Sequence, residues 1–110
     1  MDRHIEVGIL YDFYGELLTV KQRKFMELYY GQDYSLAEIA EITAITRQAV
    51  RDHLQRAQAQ LIHFESVLGY HKRCRRMQEI VGDMKQNLSE DEADLHAKLE
   101  QLLDCLTGEI

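Results

Sequence analysis

The stretch EITAITRQAV, residues 41–50, decides the fold. Thr46 is an N-cap residue type standing directly before a long apolar-periodic run, so a helix is expected to begin at residue 47. A short helix carrying Ile39 and Ala40 precedes it, and only a few residues separate the two. Two helices joined by so tight a bend form a helix-turn-helix. In that motif a short first helix braces a second one, whose outward residues enter the major groove. Ala40 is small enough for close helix packing, and Ile39, Ile45 and Val50 form the apolar wedge. Ala44 stands at the bend where Gly or Asn is common; a positive φ there costs on the order of 1 kcal/mol. Thr43 stands where a bulky apolar residue is usual, and Ile42 is expected to substitute through a small rotation of the helix.

Outward from this stretch, capping signals divide the chain. Ser or Thr followed three residues later by Glu or Gln is a capping box, and it occurs at Thr19–Gln22, Ser35–Glu38 and Ser89–Glu92. Tyr34 with Ile39 and Ile45 with Val50 have the spacing of hydrophobic staples, and Gly31, Gly69 and Gly108 fall where helix C-caps are expected. Six helices follow, over about residues 3–15, 20–30, 36–42, 47–68, 71–87 and 90–107. The first carries Ile9, Leu10, Phe13 and Tyr14 on its apolar side. The chain has no proline and no alternating β-branched runs, so the fold class is all-α.

The fourth helix carries one apolar stripe, Val50, Leu54, Ala57, Leu61, Phe64 and Leu68, along a length of about 33 Å. A helix-turn-helix uses only its first half. The second half must be covered by the first helix or by a second subunit. Cys74, Met77, Val81, Met84 and Leu88, and then Leu95, Leu99, Leu102 and Leu106, form narrower seams. These suit a helical hairpin or a coiled-coil contact between subunits.

The chain has 110 residues with a net charge of −6, unevenly spread. Residues 71–88 hold 5 Lys/Arg against 2 Asp/Glu, whereas residues 89–110 hold 1 against 7. Cys74 and Cys105 do not make a secreted disulfide framework and are expected as reduced thiols of a cytoplasmic protein. No apolar run approaches the roughly 20 residues of a membrane span, and the N-terminus lacks a signal-peptide core. His71 and Cys74 stand three apart, but structural zinc needs four ligands and no second pair is evident. No metal, cofactor or catalytic constellation is therefore expected. Tyr11, Phe13, Tyr14, Phe25, Tyr29 and Tyr30 recur at helical spacing and are expected in the core. His53, beside the reading face, is expected to be exposed, with a hydrogen bond to phosphate as its functional alternative.

Opposite the stripe of the fourth helix lie Arg47, Gln48, Arg51, Asp52 and Gln55. Arg pairs bidentately with guanine and Gln with adenine, so these types suit base readout. Between Ser35 and Arg56, Arg47, Arg51 and Arg56 balance Glu38, Glu41 and Asp52, so the unit is neutral and its affinity for phosphate modest. The densest basic cluster is HKRCRR, residues 71–76, whose counterpart is a nucleic-acid phosphate or the acidic final helix.

Residues 18–57, with QR at 22–23, SLAEIA at 35–40 and RQAV at 47–50, resemble the promoter-reading region four of sigma factors. YDFYGELLTVKQ at 11–22 and LYY at 28–30 extend the resemblance, over about residues 10–70, to the YlxM family. That resemblance implies a sigma-like three-helical DNA-binding bundle without a wing, and no enzymatic activity. It also implies a link to the signal recognition particle. The expected organisation is a helix-turn-helix domain over 1–70 and a helical extension over 71–110. The expected function is a DNA-binding regulator that uses Arg47, Gln48, Arg51 and Gln55 for reading, with Thr46, Lys21 and Arg56 near phosphates. The alternative is an accessory of the signal recognition particle that binds its RNA or GTPase through Lys72, Arg73, Arg75 and Arg76, with a helix-turn-helix that is vestigial for DNA reading. Duplex DNA and a homodimeric copy are the further expected partners.

Overall fold

The computed structural model describes residues 2–89 and 91–107. It is all-α: six α-helices and no strand among the described residues. They are α1 (Arg3–Tyr14), α2 (Val20–Met26), α3 (Leu36–Thr43), α4 (Arg47–Leu68), α5 (Tyr70–Gln86) and α6 (Ala93–Thr107). The chain divides at Gly69 into two compact units.

In the first unit, local capping sets the helix starts. Thr19 and Ser35 each complete a reciprocal box, with all four hydrogen bonds at 3.1 Å. Thr46 caps α4 by accepting from the Ala49 N–H at 3.0 Å. Each closes an orphan donor at a helix start. Gly69 ends α4 in the left-handed region at φ 59°. Gly31 does not play this part. The chain past α2 continues as a π-helical turn, Glu27–Gly31, and the positive φ falls later, on Asp33 at 56°. Gly108 lies outside the described residues.

The core of this unit gathers Val7, Leu10, Tyr14, Leu18, Phe25, Met26, Ile39, Val50, Leu54, Ala57 and Leu61. Val7, rather than Ile9 or Phe13, is the deepest residue of α1; Ile9 and Phe13 are half-buried. The second half of α4 packs on α1: Leu61 is fully buried and the Tyr14 hydroxyl donates to Glu65 at 2.5 Å. Of the two coverings open for that stripe, α1 supplies this one. Leu68 remains exposed. Tyr14 and Phe25 are buried, while Tyr11, Phe13, Tyr29 and Tyr30 are half-buried against the same core.

In the second unit α5 and α6 pack as a hairpin. Gln78 donates to the Leu106 carbonyl at 3.2 Å and Lys85 pairs with Glu100, so the helices run antiparallel. Cys74, Val81 and Leu99 are buried. α6 begins at Ala93, three residues later than its capping signal suggests. The Glu92 N–H donates to the Ser89 carbonyl at 3.2 Å, closing a turn before the helix starts.

Candidate nucleic-acid interface

α3 and α4 are joined by Ala44, Ile45 and Thr46. Ala44 takes the left-handed conformation, φ 58° and ψ 38°, and its N–H donates to the Ala40 carbonyl. Ile45 follows onto the same carbonyl at 3.2 Å. The bend therefore uses the geometry glycine usually supplies, with an alanine in its place. Ile39 and Val50 are fully buried, with Ile45 and Ala40 packed against them, so the wedge is complete. The expected rotation of α3 does not occur. Ile42 is 54% exposed, and Thr43 is half-buried because its hydroxyl donates to the Ile39 carbonyl at 2.7 Å. A satisfied hydroxyl removes the cost of holding Thr43 on the inner side.

Arg47, Gln48, Arg51 and Gln55 are all exposed on α4. Arg47, Gln48 and Arg51 line a cleft of about 440 Å³ together with Ser35, Leu36 and Ala37, the N-terminal turn of α3. The partial positive charge of that helix end is set against the Glu38 carboxylate, which accepts from the Ser35 N–H there. A second hollow, of about 190 Å³, is lined by Tyr29, Leu36, Arg51, Leu54, Gln55 and Gln58. Leu36 and Arg51 border both, so the two hollows adjoin on this flank of α4. Gln48 donates to Asp52 at 3.0 Å, which ties the acid to the neighbouring amide.

Lys21 and Arg56 lie on the opposite flank. His53 stacks on Phe25 of α2, with ring centres 4.5 Å apart and planes 10° apart. Burial against this ring holds the His53 imidazole below the ordinary histidine value, and the charges of Lys21 and Arg56 push it the same way. His53 is thus half-buried and packed, not merely exposed. The two cations it senses are drawn from α2 and α4, 35 residues apart in sequence. Thr46, between the flanks, uses its oxygen as the α4 cap, and its O–H hydrogen can still donate outward.

The structure thus brings the sequence candidates into two groups flanking α4. Arg47, Gln48, Arg51 and Gln55 face the α3 side, and Lys21 and Arg56 face the α2 side. Gln58 was not anticipated, although it follows Arg51 by seven residues and so shares its face. It donates to the Tyr30 hydroxyl at 3.1 Å. Tyr29 and Leu36 reach these hollows from other elements, which no spacing within α4 signals. Lys72, Arg73, Arg75 and Arg76 belong to α5 in the second unit, where Arg76 pairs with Glu79 at 3.4 Å. Among the described residues, no three His, Cys, Asp or Glu side chains form a group that could hold a metal ion. No described helix is long and apolar enough to cross a membrane.

A braced short helix, a left-handed bend and a capped longer helix with an exposed polar face define a helix-turn-helix protein. The family model described as "Putative helix-turn-helix protein, YlxM / p13 like" matches residues 1–102, and the chain belongs to this family, UPF0122. A UPF0122 protein of Geobacillus kaustophilus is 43% identical over 89 residues, 81% of each chain. One from Oceanobacillus iheyensis is 36% identical over 104 residues, 94% of this chain and 97% of the relative. One from Clostridium kluyveri is 48% identical over 79 residues, 72% of this chain and 71% of the relative.

Proposed function

We propose that this protein is a non-enzymatic, cytoplasmic regulator that binds duplex DNA through α4, in the manner of sigma factor region four. The observation that carries the reading is the pair of cationic flanks on either side of that helix. A recognition helix seated in the major groove has a phosphate backbone on each side of it. Arg47 and Arg51, beside the N-terminal turn of α3, meet one backbone or the guanine edges next to it. Lys21 and Arg56 meet the other backbone, and Gln48 and Gln55 meet base edges between them. A second copy, joined through α5 and α6, doubles these contacts.

The test is an anisotropy titration of the whole protein against mixed-sequence duplex at several salt concentrations. Four phosphate-neutralising cations set a log–log salt slope no steeper than about −3.6 per chain. Replacing Arg47 and Arg51 with Ala should weaken binding by at least about tenfold and flatten that slope, with helicity unchanged. Unchanged affinity in this variant refutes the assignment.

The basic run Lys72, Arg73, Arg75 and Arg76 supports a second reading, in which the protein serves the signal recognition particle by binding its RNA or its GTPase. Charge reversal at Lys72 and Arg75 separates the two. Loss of particle binding with duplex binding intact favours the accessory role. Retained particle binding counts against it.

A further inference from the structure

The α5–α6 hairpin buries only part of its apolar surface. Met77, Ile80 and Met84 on α5 and Leu95 and Leu102 on α6 are between 42 and 52% exposed. At 100° per residue, the three on α5 are displaced from the Cys74–Val81 seam in the same rotational sense as the two on α6 from Leu99. In an antiparallel pair, displacements of the same sense fall on one side. The five side chains therefore share one apolar face across both helices, of the kind that marks an interface.

Charge is sorted along the same hairpin. Lys72, Arg73, Arg75 and Arg76 crowd the end where α5 begins, and Asp91, Glu92 and Asp94 crowd the opposite end, where α6 begins. Arg73 and Arg76 lie toward the apolar face on α5 and Asp94 lies toward it on α6 by the same angular count, with Asp91 in the turn just before α6.

We propose that this face binds the same face of a second copy about a two-fold axis perpendicular to the helices. The basic end of each hairpin then lies on the acidic end of the other, closing an antiparallel four-helix bundle. A two-fold axis along the helices would instead set basic end against basic end and acidic against acidic. Nucleic acid is the poorer occupant, because the centre of the face is apolar and one end of it is acidic. The inference rests on reading α5 and α6 as the dimerising arms, and it specifies which ends meet.

Sedimentation of the full chain tests it. The expected species has twice the 12.9 kDa chain mass, and Met84→Glu converts it to monomer. Arg73→Glu with Arg76→Glu raises the dimer dissociation constant by about tenfold or more, and so does Asp91→Lys with Asp94→Lys. All four changes in one chain restore the dimer, because exchanging the two ends regenerates complementary contacts only in the antiparallel arrangement. These positions are exposed, so circular dichroism should match the parent throughout. A monomer at every concentration overturns both the inference and the dimeric reading, and the duplex titration of the single-chain contacts stands apart from that result. A dimer that Met84→Glu dissociates but charge reversal does not move overturns the antiparallel register alone. A dimer indifferent to Met84→Glu overturns the face itself.

Discussion

Ala44 is the most strained residue of the helix-turn-helix, and replacing it with glycine should stabilise the protein. Its φ of 58° and ψ of 38° bring the methyl group toward the following carbonyl, which costs an L-residue about 1–2 kcal/mol. Ala44→Gly removes that term but gives the unfolded chain extra freedom, an opposing effect of about 0.4–1 kcal/mol. Ala44 is exposed, so no buried contact is lost, and its N–H bond to the Ala40 carbonyl survives the change. The net gain is about 0.5–1 kcal/mol, or about 2–8 °C in the melting midpoint of a domain this size. Gly69 has nearly the same conformation at φ 59°, so Gly69→Ala should lower the midpoint by a comparable amount. Calorimetry reads both, and amide exchange at Ile39 and Val50 shows whether the gain reaches the α3–α4 wedge. Duplex affinity should stay within about twofold of the parent, since the bend keeps its shape. An Ala44→Gly midpoint at or below the parent value would refute the claim that the bend is held against strain.

Three further outcomes follow from the same geometry. Ser35→Ala removes the oxygen that caps α3 and should cost about 1 kcal/mol in denaturant titration, with a smaller loss from Ser35→Gly. Leu61→Ala, at a fully buried position under α1, should cost about 2–5 kcal/mol; a loss below about 1 kcal/mol would mean that α1 does not cover α4 there. His53 is held below its ordinary value in the folded state, so its contribution is complete above the unfolded pKa of about 6.5 and declines as pH falls through that value toward the folded one. His53→Gln should flatten the stability–pH profile below neutrality; an unchanged slope would mean that the stack on Phe25 does not disfavour the charged ring.

How much of this was legible in the sequence depended on the range of the interaction. The capping boxes at Thr19 and Ser35 and the Thr46 cap are encoded within a few residues and each appears as read, and Tyr34 and Ile45 pack against the core that holds Ile39 and Val50. The π-helical turn was not legible. Phe25, Met26, Leu28, Tyr29 and Tyr30 form an almost unbroken apolar run, which fits more than one helical phase, so periodicity cannot choose between an α and a π turn. Without that choice, Gly31 looks like the end of the segment, whereas the left-handed residue is Asp33. The fate of Thr43 also lay beyond spacing. Residue size argued for turning Ile42 inward, but a single hydrogen bond to Ile39 made the smaller residue acceptable inside. On the candidate interface, the residues of α4 could be listed from the helical period. The contributions of Leu36, Tyr29 and the Phe25–His53 stack could not, because they come from elements whose packing angles no local pattern states.

The acidity of the chain looks at first like an argument against duplex binding, and charge counts alone leave the helix-turn-helix neutral. Position changes the weight of those counts. The Glu38 carboxylate accepts from the Ser35 N–H at the positive end of α3, which offsets much of its field where Arg47 and Arg51 stand. Asp52 is held by Gln48. Lys21 comes from outside the neutral segment and joins Arg56 on the far flank of α4. The acid-rich stretch, residues 89–110, belongs to the second unit and carries the charges that a basic partner end would meet. A phosphate approaching α4 therefore meets cations first on both flanks. Salt screens exposed charges beyond about 10 Å, so repulsion by acids elsewhere in the chain weakens as ionic strength rises. On this argument, raising ionic strength weakens binding less steeply than the four cations alone would predict, because the same salt relieves the repulsion. A slope nearer about −2 than about −3.6 per chain would then reflect competition between attraction at the two flanks and repulsion by the remaining acids. Neutralising the tail acids with Asn and Gln should steepen the slope toward −3.6 and raise low-salt affinity; a slope unmoved by that change would show that the tail acids do not reach the interface.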